Sequence, residues 1–381
     1  MRLDYPLNCE KIFARFIERK NRFVVTVYVD GKVAECYLPN SGRLWELLIP
    51  EKTELMLVRN QTFQKLPFTV LACKKKDQWV LLHTHLTNKI IKSLINENIL
   101  PIYRNFRVIS EEVEVGKGRL DLLLEDEKEK IYLEVKTCTL FGENVAMFPD
   151  AVTERGRRHL MELKSLAEKG MRTSVLFVVM NPAIKFFLPA YHIDFEFSKT
   201  FMDIREKVDI RAVSLDWDSS FSYVKTVKEL EIPFEFLQKV LKEKGVYLLV
   251  TYLDTSKSIV IGKLGNLHFS KGYYVYVGKA KRELFRRIKR HKEKSKRMHW
   301  HIDYFLKEAK IINDFPILTD KDIECRLAYS VSNISDAMVP DFGSSDCQCR
   351  SHLFYFQENP VYKISFIEIV NHYRLDMLGF E

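Results

Sequence analysis

A period-two row of apolar residues on both sides of a charged turn, over residues 119–136, constrains this chain more than any other feature. Leu120, Leu122, Leu124, Ile131, Leu133 and Val135 fall on one face at period two, and Asp121, Glu134 and Lys136 fall on the other. The pattern predicts a β-hairpin with one oily and one charged side, turning at residues 126–129. A four-residue turn sets Asp121 opposite Glu134, with facing Cβ atoms about 5 Å apart. Two carboxylates that close repel each other unless a cation lies between them. A hard divalent ion, Mg²⁺ or Mn²⁺, takes such oxygen ligands together with phosphate and water. Lys136 points to the same side, where it can steady an attacking hydroxide or the charge building on phosphorus.

This Asp, hairpin, Glu-x-Lys arrangement resembles the PD-(D/E)XK nuclease core. With 381 residues, two or three domains are expected. Apolar content of 46% is ordinary for a globular protein, and no uninterrupted apolar run is long enough to cross a bilayer. Met1-Arg2-Leu3-Asp4-Tyr5-Pro6 lacks the apolar stretch of a signal peptide, so a cytoplasmic location is expected. The cysteines number 7, an odd count spread along the chain, which fits free thiols better than a disulfide framework. A net charge of +9 favours a polyanionic partner: DNA first, RNA next. No basic amphipathic helix or lipidation signal supports a membrane partner.

Residues 1–84 read as a small β unit. Residues 21–29 and 32–38 flank Asp30-Gly31, a strong hairpin signal, and further strands are expected at 53–58, 67–72 and 78–82. Five short strands predict an OB-like barrel. Arg15, Arg19 and Arg22 interleave with Phe13, Phe16 and Phe23, as in a groove that tracks phosphates and stacks bases, although a core role for the rings fits the spacing equally well.

Phe13-Ala14-Arg15-Phe16, Asn21-Arg22-Phe23 and Pro39-Asn40-Ser41-Gly42-Arg43 resemble the opening motifs of the sugar fermentation stimulation protein family. The likeness continues through Asn88, Glu112, Arg119-x-Asp121, Glu134-Val135-Lys136 and Phe148-Pro149-Asp150-Ala151-Val152-Thr153-Glu154-Arg155-Gly156, to about residue 218. Cys36-Tyr37 departs from the pattern, which usually has a histidine before the Pro-Asn-Ser-Gly turn. The resemblance implies an OB-like domain, a PD-(D/E)XK-like α/β domain at 85–218, and DNA binding that includes Arg43. It also makes Glu112 the third candidate metal carboxylate beside Asp121 and Glu134.

Between these motifs, a helix is expected at 86–99 and another at 153–169, ended by Gly170. Arg155, Arg158 and His159 crowd the second helix's positive end, an arrangement that a bound phosphate would relieve. Residues 174–180 read as a buried strand, completing an α/β order. Residues 219–243 read as a linker with a short helix.

From residue 244 a second set of motifs begins. Gly245-Val246-Tyr247, Tyr273-Tyr274-Val275-Tyr276-Val277-Gly278 and Leu284-Phe285-Arg286-Arg287-Ile288-Lys289-Arg290-His291 resemble a GIY-YIG nuclease domain of the archaeal type. His299-Trp300-His301-Ile302-Asp303-Tyr304, Glu324-Cys325 and the stretch from Phe342 to Leu353 agree with it in order. The chemistry expected is that Tyr247 and Tyr276, facing each other on adjacent strands, orient a water. Arg287 then meets the phosphate, His291 shuttles a proton, and Glu324 holds a metal ion. Residues 279–297 carry eleven Lys and Arg, among them Arg286, Lys289 and Arg290, against two acidic residues, and would bind a nucleic-acid backbone. Cys325, Cys347, Cys349 and His352 could make a zinc site, but Cys-x-Cys spacing is less typical than Cys-x₂-Cys and disfavours it. Residues 359–381 receive no functional reading. The expectation is a DNA-binding, metal-dependent endonuclease, with a non-catalytic DNA-binding regulator as the alternative.

Overall fold

In the computed structural model, which describes residue 7 and residues 9–60, 65–116, 118–218, 221–293 and 295–379, the chain begins with strand β1 (Ile12–Asn21). Residues 1–6 and Lys294, which entered the readings of signal peptide and basic run, lie outside the described residues. After β1 come β2 (Val24–Val29), β3 (Lys32–Tyr37), β4 (Glu54–Arg59), β5 (Phe68–Lys75) and β6 (Gln78–Leu81). β3 also pairs with β5, so β1, β2, β3, β5 and β4 close into a five-strand barrel. The hairpin at Asp30-Gly31 forms as expected, with φ of 50° and 77°. The fifth member of the ring differs from expectation: it is β1, running through the Arg/Phe segment, whereas β6 pairs only with β5.

The second layer opens with helix α1 (Thr87–Asn96), then β7 (Arg107–Val115), β8 (Gly118–Glu125), β9 (Lys130–Cys138), β10 (Leu140–Phe141) and β11 (Val145–Phe148). It continues through α2 (Glu154–Glu168), β12 (Arg172–Val179), β13 (Phe186–Pro189), α3 (Phe195–Ile204), β14 (Asp209–Trp217) and β15 (Val224–Glu229). The main sheet has the order β15-β14-β12-β9-β8-β7. β9 and β12 are parallel, which requires a crossover, and α2 lies within it. Thr153 caps α2 by accepting from the Gly156 N–H at 3.0 Å, and Gly170 (φ 83°) follows its end. Leu120, Leu122, Leu124, Ile131, Leu133 and Val135 are all buried. β15 lies inside the stretch read as a linker, where it pairs antiparallel with β14 as an edge strand.

The chain divides into two units, Met1–Glu235 and Phe236–Gly379, with helix α4 (Phe234–Val240) across the division. The second unit contains β16 (Gly245–Leu253), β17 (Lys257–Val260), β18 (Asn266–Phe269), β19 (Gly272–Ala280), α5 (Leu284–Lys292), α6 (His301–Phe305) and β20 (Lys310–Leu318). α7 (Glu324–Ser332), β21 (Ala337–Met338), β22 (Leu353–Phe356) and α8 (Ile364–Asn371) complete it. Its antiparallel sheet has the order β20-β16-β19-β22-β21 around a core rich in Tyr and Phe. Residues 359–379, left without a role by the sequence reading, pack onto this sheet. The Phe366 ring lies 5.5 Å from Phe315, and Arg374 donates to the Pro316 carbonyl at 2.9 Å. Among the described residues no helix is long and apolar enough to cross a membrane.

Candidate functional site

The β8–β9 hairpin turns at residues 126–129, with the Asp126 N–H donating to the Glu129 carbonyl at 3.1 Å. Leu122 pairs with Leu133, and one step further that register sets Asp121 level with Glu134. Asn88 of α1 donates to Asp121 Oδ1 at 2.8 Å, and the Val135 N–H donates to Oδ2 at 2.7 Å. Burial and the Glu134 charge nevertheless push the Asp121 carboxyl up to about 6.

Glu134 is 1% exposed rather than solvated. His159 of α2 and Lys136 both hydrogen-bond to its Oε1. Burial alone would raise its pKa, but His159 and Lys136 outweigh that and hold the carboxyl below its ordinary value. Arg155 donates through Nε to His159 Nε2 at 3.3 Å, so the imidazole carries its proton on Nδ1 and donates to Glu134. The other oxygen, Oε2, is buried with no hydrogen-bond partner among the described residues. An orphaned carboxylate oxygen beside a second carboxylate fits a hard cation. Glu112 on β7 is exposed, with a φ of 50°, and its neighbours Glu111 and Val113 pair with Leu122 and Leu120, which sets it level with Asp121. Asn88 was read only as part of the family motif and His159 only as a phosphate neighbour, not as partners of Asp121 and Glu134. Their signals were the family motif for Asn88 and the one-turn spacing from Arg155 for His159.

The barrel arginines divide. Arg15, Arg22 and Arg43 are exposed, as are Phe13 and Phe23, whereas Phe16 is buried in the barrel. Arg19 is occupied: its guanidinium donates to the carbonyls of Gly42 (2.6 Å), Arg22 (2.7 Å), Arg43 (2.7 Å) and Asn40 (2.9 Å). Asp150, from the loop before α2, accepts from the Leu44 N–H at 3.4 Å, and a Cβ on Gly42 would lie 2.3 Å from its Oδ2. Any larger residue would push the Asp150 carboxylate out of this place. Three separated motifs thus meet in one joint between the barrel and the α/β layer. Arg155 and Arg158 are exposed on α2.

In the second unit Tyr247 pairs across the ladder with Gly278, and Leu249 with Tyr276. The two tyrosines are therefore diagonal neighbours, not directly opposed, with ring centroids 6.3 Å apart. A Cβ at residue 278 would lie 2.4 Å from the Tyr247 ring, which explains the glycine. Burial raises the hydroxyl pKa of both tyrosines, and Arg287 opposes that shift. The Tyr247 hydroxyl lies 2.9 Å from His291 Nε2, and His291 Nδ1 lies 3.5 Å from Asp303 Oδ1. Asp303 is fully buried. Hydrogen bonds from Arg290 and from the Trp300 and His299 N–H groups, with His291 close by, overcome that burial and hold it ionised. An anion beside Nδ1 favours a proton on that nitrogen, the tautomer in which Nε2 accepts from Tyr247. Asp303, which the expected set lacked, thus stands behind the His291 ring that Tyr247 meets from the other side.

Arg287 lies 4.1 Å over the Trp300 ring, and its Nε is buried with no hydrogen-bond partner among the described residues. Arg290 is bound in a fork to Asp303 at 3.1 and 3.0 Å, whereas Arg286 and Lys289 are exposed. Glu324, at the start of α7, lies 3.6 Å from His352 Nδ1 and 3.9 Å from Lys279. Contrary to what the Cys-x-Cys spacing indicates, Cys325, Cys347, Cys349 and His352 converge, with one ligand atom of each within 4.8 Å of the others.

A closed OB-like barrel joined to an α/β layer that buries paired carboxylates defines a class of mixed α/β multidomain protein, and comparison with known proteins agrees. Residues 17–82 match the model described as the SfsA N-terminal OB domain, and residues 85–221 the sugar fermentation stimulation protein RE domain. The sugar fermentation stimulation protein homolog of Methanothermobacter thermautotrophicus is 42% identical over 183 residues, covering 48% of this chain and 76% of that protein. The homolog of Clostridium kluyveri is 33% identical over 220 residues, covering 58% and 95%. The chain belongs to the sugar fermentation stimulation protein family. The solved structure of Pyrococcus furiosus SfsA in complex with Ca²⁺ is similar, at 28% identity and a TM-score of 0.56, covering 61% of this chain and 97% of that one. Residues 246–375 match a different model, described as domain of unknown function DUF123.

Proposed function

We propose that this chain is a DNA-binding protein that hydrolyses phosphodiester bonds with a divalent metal ion, Mg²⁺ or Mn²⁺. The observation that carries the reading is the orphaned Oε2 of buried Glu134, level with Asp121 and beside Lys136. Asp121 and Glu134 would hold the ion, with Glu112 as the third carboxylate. When bound, such an ion supplies positive charge to the phosphate and acidifies an attacking water. The chain's own residues do the remaining work. Asn88 and the Val135 N–H orient Asp121, His159 and Lys136 hold Glu134, and the Lys136 ammonium is placed to offset charge building on phosphorus. The relative from Pyrococcus furiosus, solved with Ca²⁺, supports a divalent ion in this fold. Exposed Arg15, Arg22 and Arg43, with Phe13 and Phe23, would grip the nucleic acid.

The second unit would add a GIY-YIG-type site. There Tyr247 and His291, backed by Asp303, would take a proton from water, Arg287 would meet the phosphate, and Glu324 would hold a metal ion that offsets the charge building there.

The test is a panel of labelled duplex, single-stranded and branched DNA, with RNA alongside, incubated with Mg²⁺, Mn²⁺ or EDTA and scored separately for binding and cleavage. Metal-dependent cleavage is expected. In the isolated first unit, Glu134→Gln should lower cleavage by about a hundredfold or more while DNA affinity stays nearly unchanged. Binding with no cleavage under any metal would leave a regulator that only grips DNA.

A further inference from the structure

The loop at residues 339–352, between β21 and β22, has neither helix nor strand. Its apolar anchor is Phe342, which is buried, while Gly343, Ser344, Ser345, Asp346, Gln348 and Arg350 offer little to pack. Long irregular loops in compact domains need another restraint. This one has local hydrogen bonds, from the His352 N–H to the Phe342 carbonyl at 2.8 Å and from the Asp341 N–H to the Arg350 carbonyl at 2.9 Å. They shape the loop without fastening its tip to α7.

We infer that Cys325, Cys347, Cys349 and His352 hold one structural zinc ion that ties this loop to the first turn of α7. Three observations converge on it. First, the distances fit: with Zn–S near 2.3 Å and Zn–N near 2.0 Å, a tetrahedral site sets sulfur and nitrogen ligands about 3.6 Å apart. Cys347 Sγ lies 3.5 Å from His352 Nε2, and all four ligand atoms fall within 4.8 Å of one another.

Second, the burial is wrong for ordinary core cysteines. Free cysteines used as small hydrophobes are among the most buried of residues, as Cys36, Cys73 and Cys138 are here. Cys325 is exposed, and Cys347 and Cys349 are half-buried. Three thiols gathered at a surface have no packing reason to be there.

Third, the histidine is supported from behind. A zinc-bound imidazole commonly turns its free N–H to a carboxylate. His352 faces the cysteines with Nε2, and its Nδ1 lies 3.6 Å from Glu324 Oε1. Three soft thiolates with one imidazole at tetrahedral spacing select zinc among the common divalent ions and leave no open coordination position. Glu324 would stand behind the ion as a positioning residue. This assignment holds whether or not the chain hydrolyses DNA.

The experiment uses the full chain, produced with zinc in the medium and exchanged into metal-free buffer under reductant. Elemental analysis should find about one zinc per chain, released when a mercurial blocks the thiols. Cobalt substitution should give the intense visible bands of a tetrahedral thiolate site. Cys347→Ser with Cys349→Ser should lose the metal, and Glu324→Gln should weaken zinc about 10- to 100-fold in competition with a chromogenic chelator. The wild-type measurement stands even if the variants fold poorly. Wild-type chain with neither zinc nor cobalt uptake overturns the inference. So does iron in place of zinc, or a thiol titration showing a disulfide among these three cysteines.

Discussion

Asp121 is where pH should act on the first unit. Its carboxyl is pushed from 3.8 up to about 6 by burial and by Glu134, so the folded chain binds this proton more tightly than the unfolded one. The stability it contributes is full below about pH 4 and is lost as pH rises through about 6, a change on the order of 3 kcal/mol. Urea unfolding of wild type and Asp121→Asn across about pH 4 to 7 should show that loss in the wild type alone, with added Mg²⁺ restoring it. A constant difference between the two proteins would sink the reading. At this scale the sequence was legible where chemistry is local. The pairing of Asp121 with Glu134 followed from turn length and period, whereas the role of Arg19 did not, because its partners are backbone carbonyls that no side-chain pattern announces. The cysteine cluster was named residue by residue but disfavoured on its Cys-x-Cys spacing, because Cys325 reaches the others only through the fold of residues 339–352.

Among the elements, the hairpin and α2 could be read because their buried stripes are continuous. β1 could not: between its buried Ala14 and Phe16 and its end lie Glu18, Arg19, Lys20 and Asn21, a polar run in which alternation fades. β15, Val-Lys-Thr-Val-Lys-Glu, has no buried residue and reads as a linker until β14 pairs with it. Basic α5 carries a prediction of its own. Arg290 is spent on Asp303, so the phosphate-facing charge should come from exposed Arg286 and Lys289. Replacing both with Glu should weaken DNA binding whatever the sequence and reduce the slope of log K against log salt by about 2. An unchanged slope would assign binding to other surfaces.

For the whole molecule, the place of the division after Glu235, inside the stretch read as a linker over 219–243, matters in practice. A fragment ending at 218 strips β15 from β14 and exposes a sheet edge. Residues 1–235 should therefore stay monomeric in light scattering at concentrations where residues 1–218 aggregate, and equal solubility would count against a structural role for β15. The joint of Arg19, the Pro-Asn-Ser-Gly-Arg turn and Asp150 has a consequence of another kind. It ties the barrel to the loop before α2 by direct hydrogen bonds, and if the first unit cuts DNA as proposed, a grip fastened in this way to the hairpin carboxylates would act as a ruler. On end-labelled duplexes, cuts made by the first unit should fall at one constant offset from the edge of the protected footprint, whatever the sequence. Arg19→Ala, which frees the turn, should spread those cuts over several neighbouring phosphates without moving the footprint.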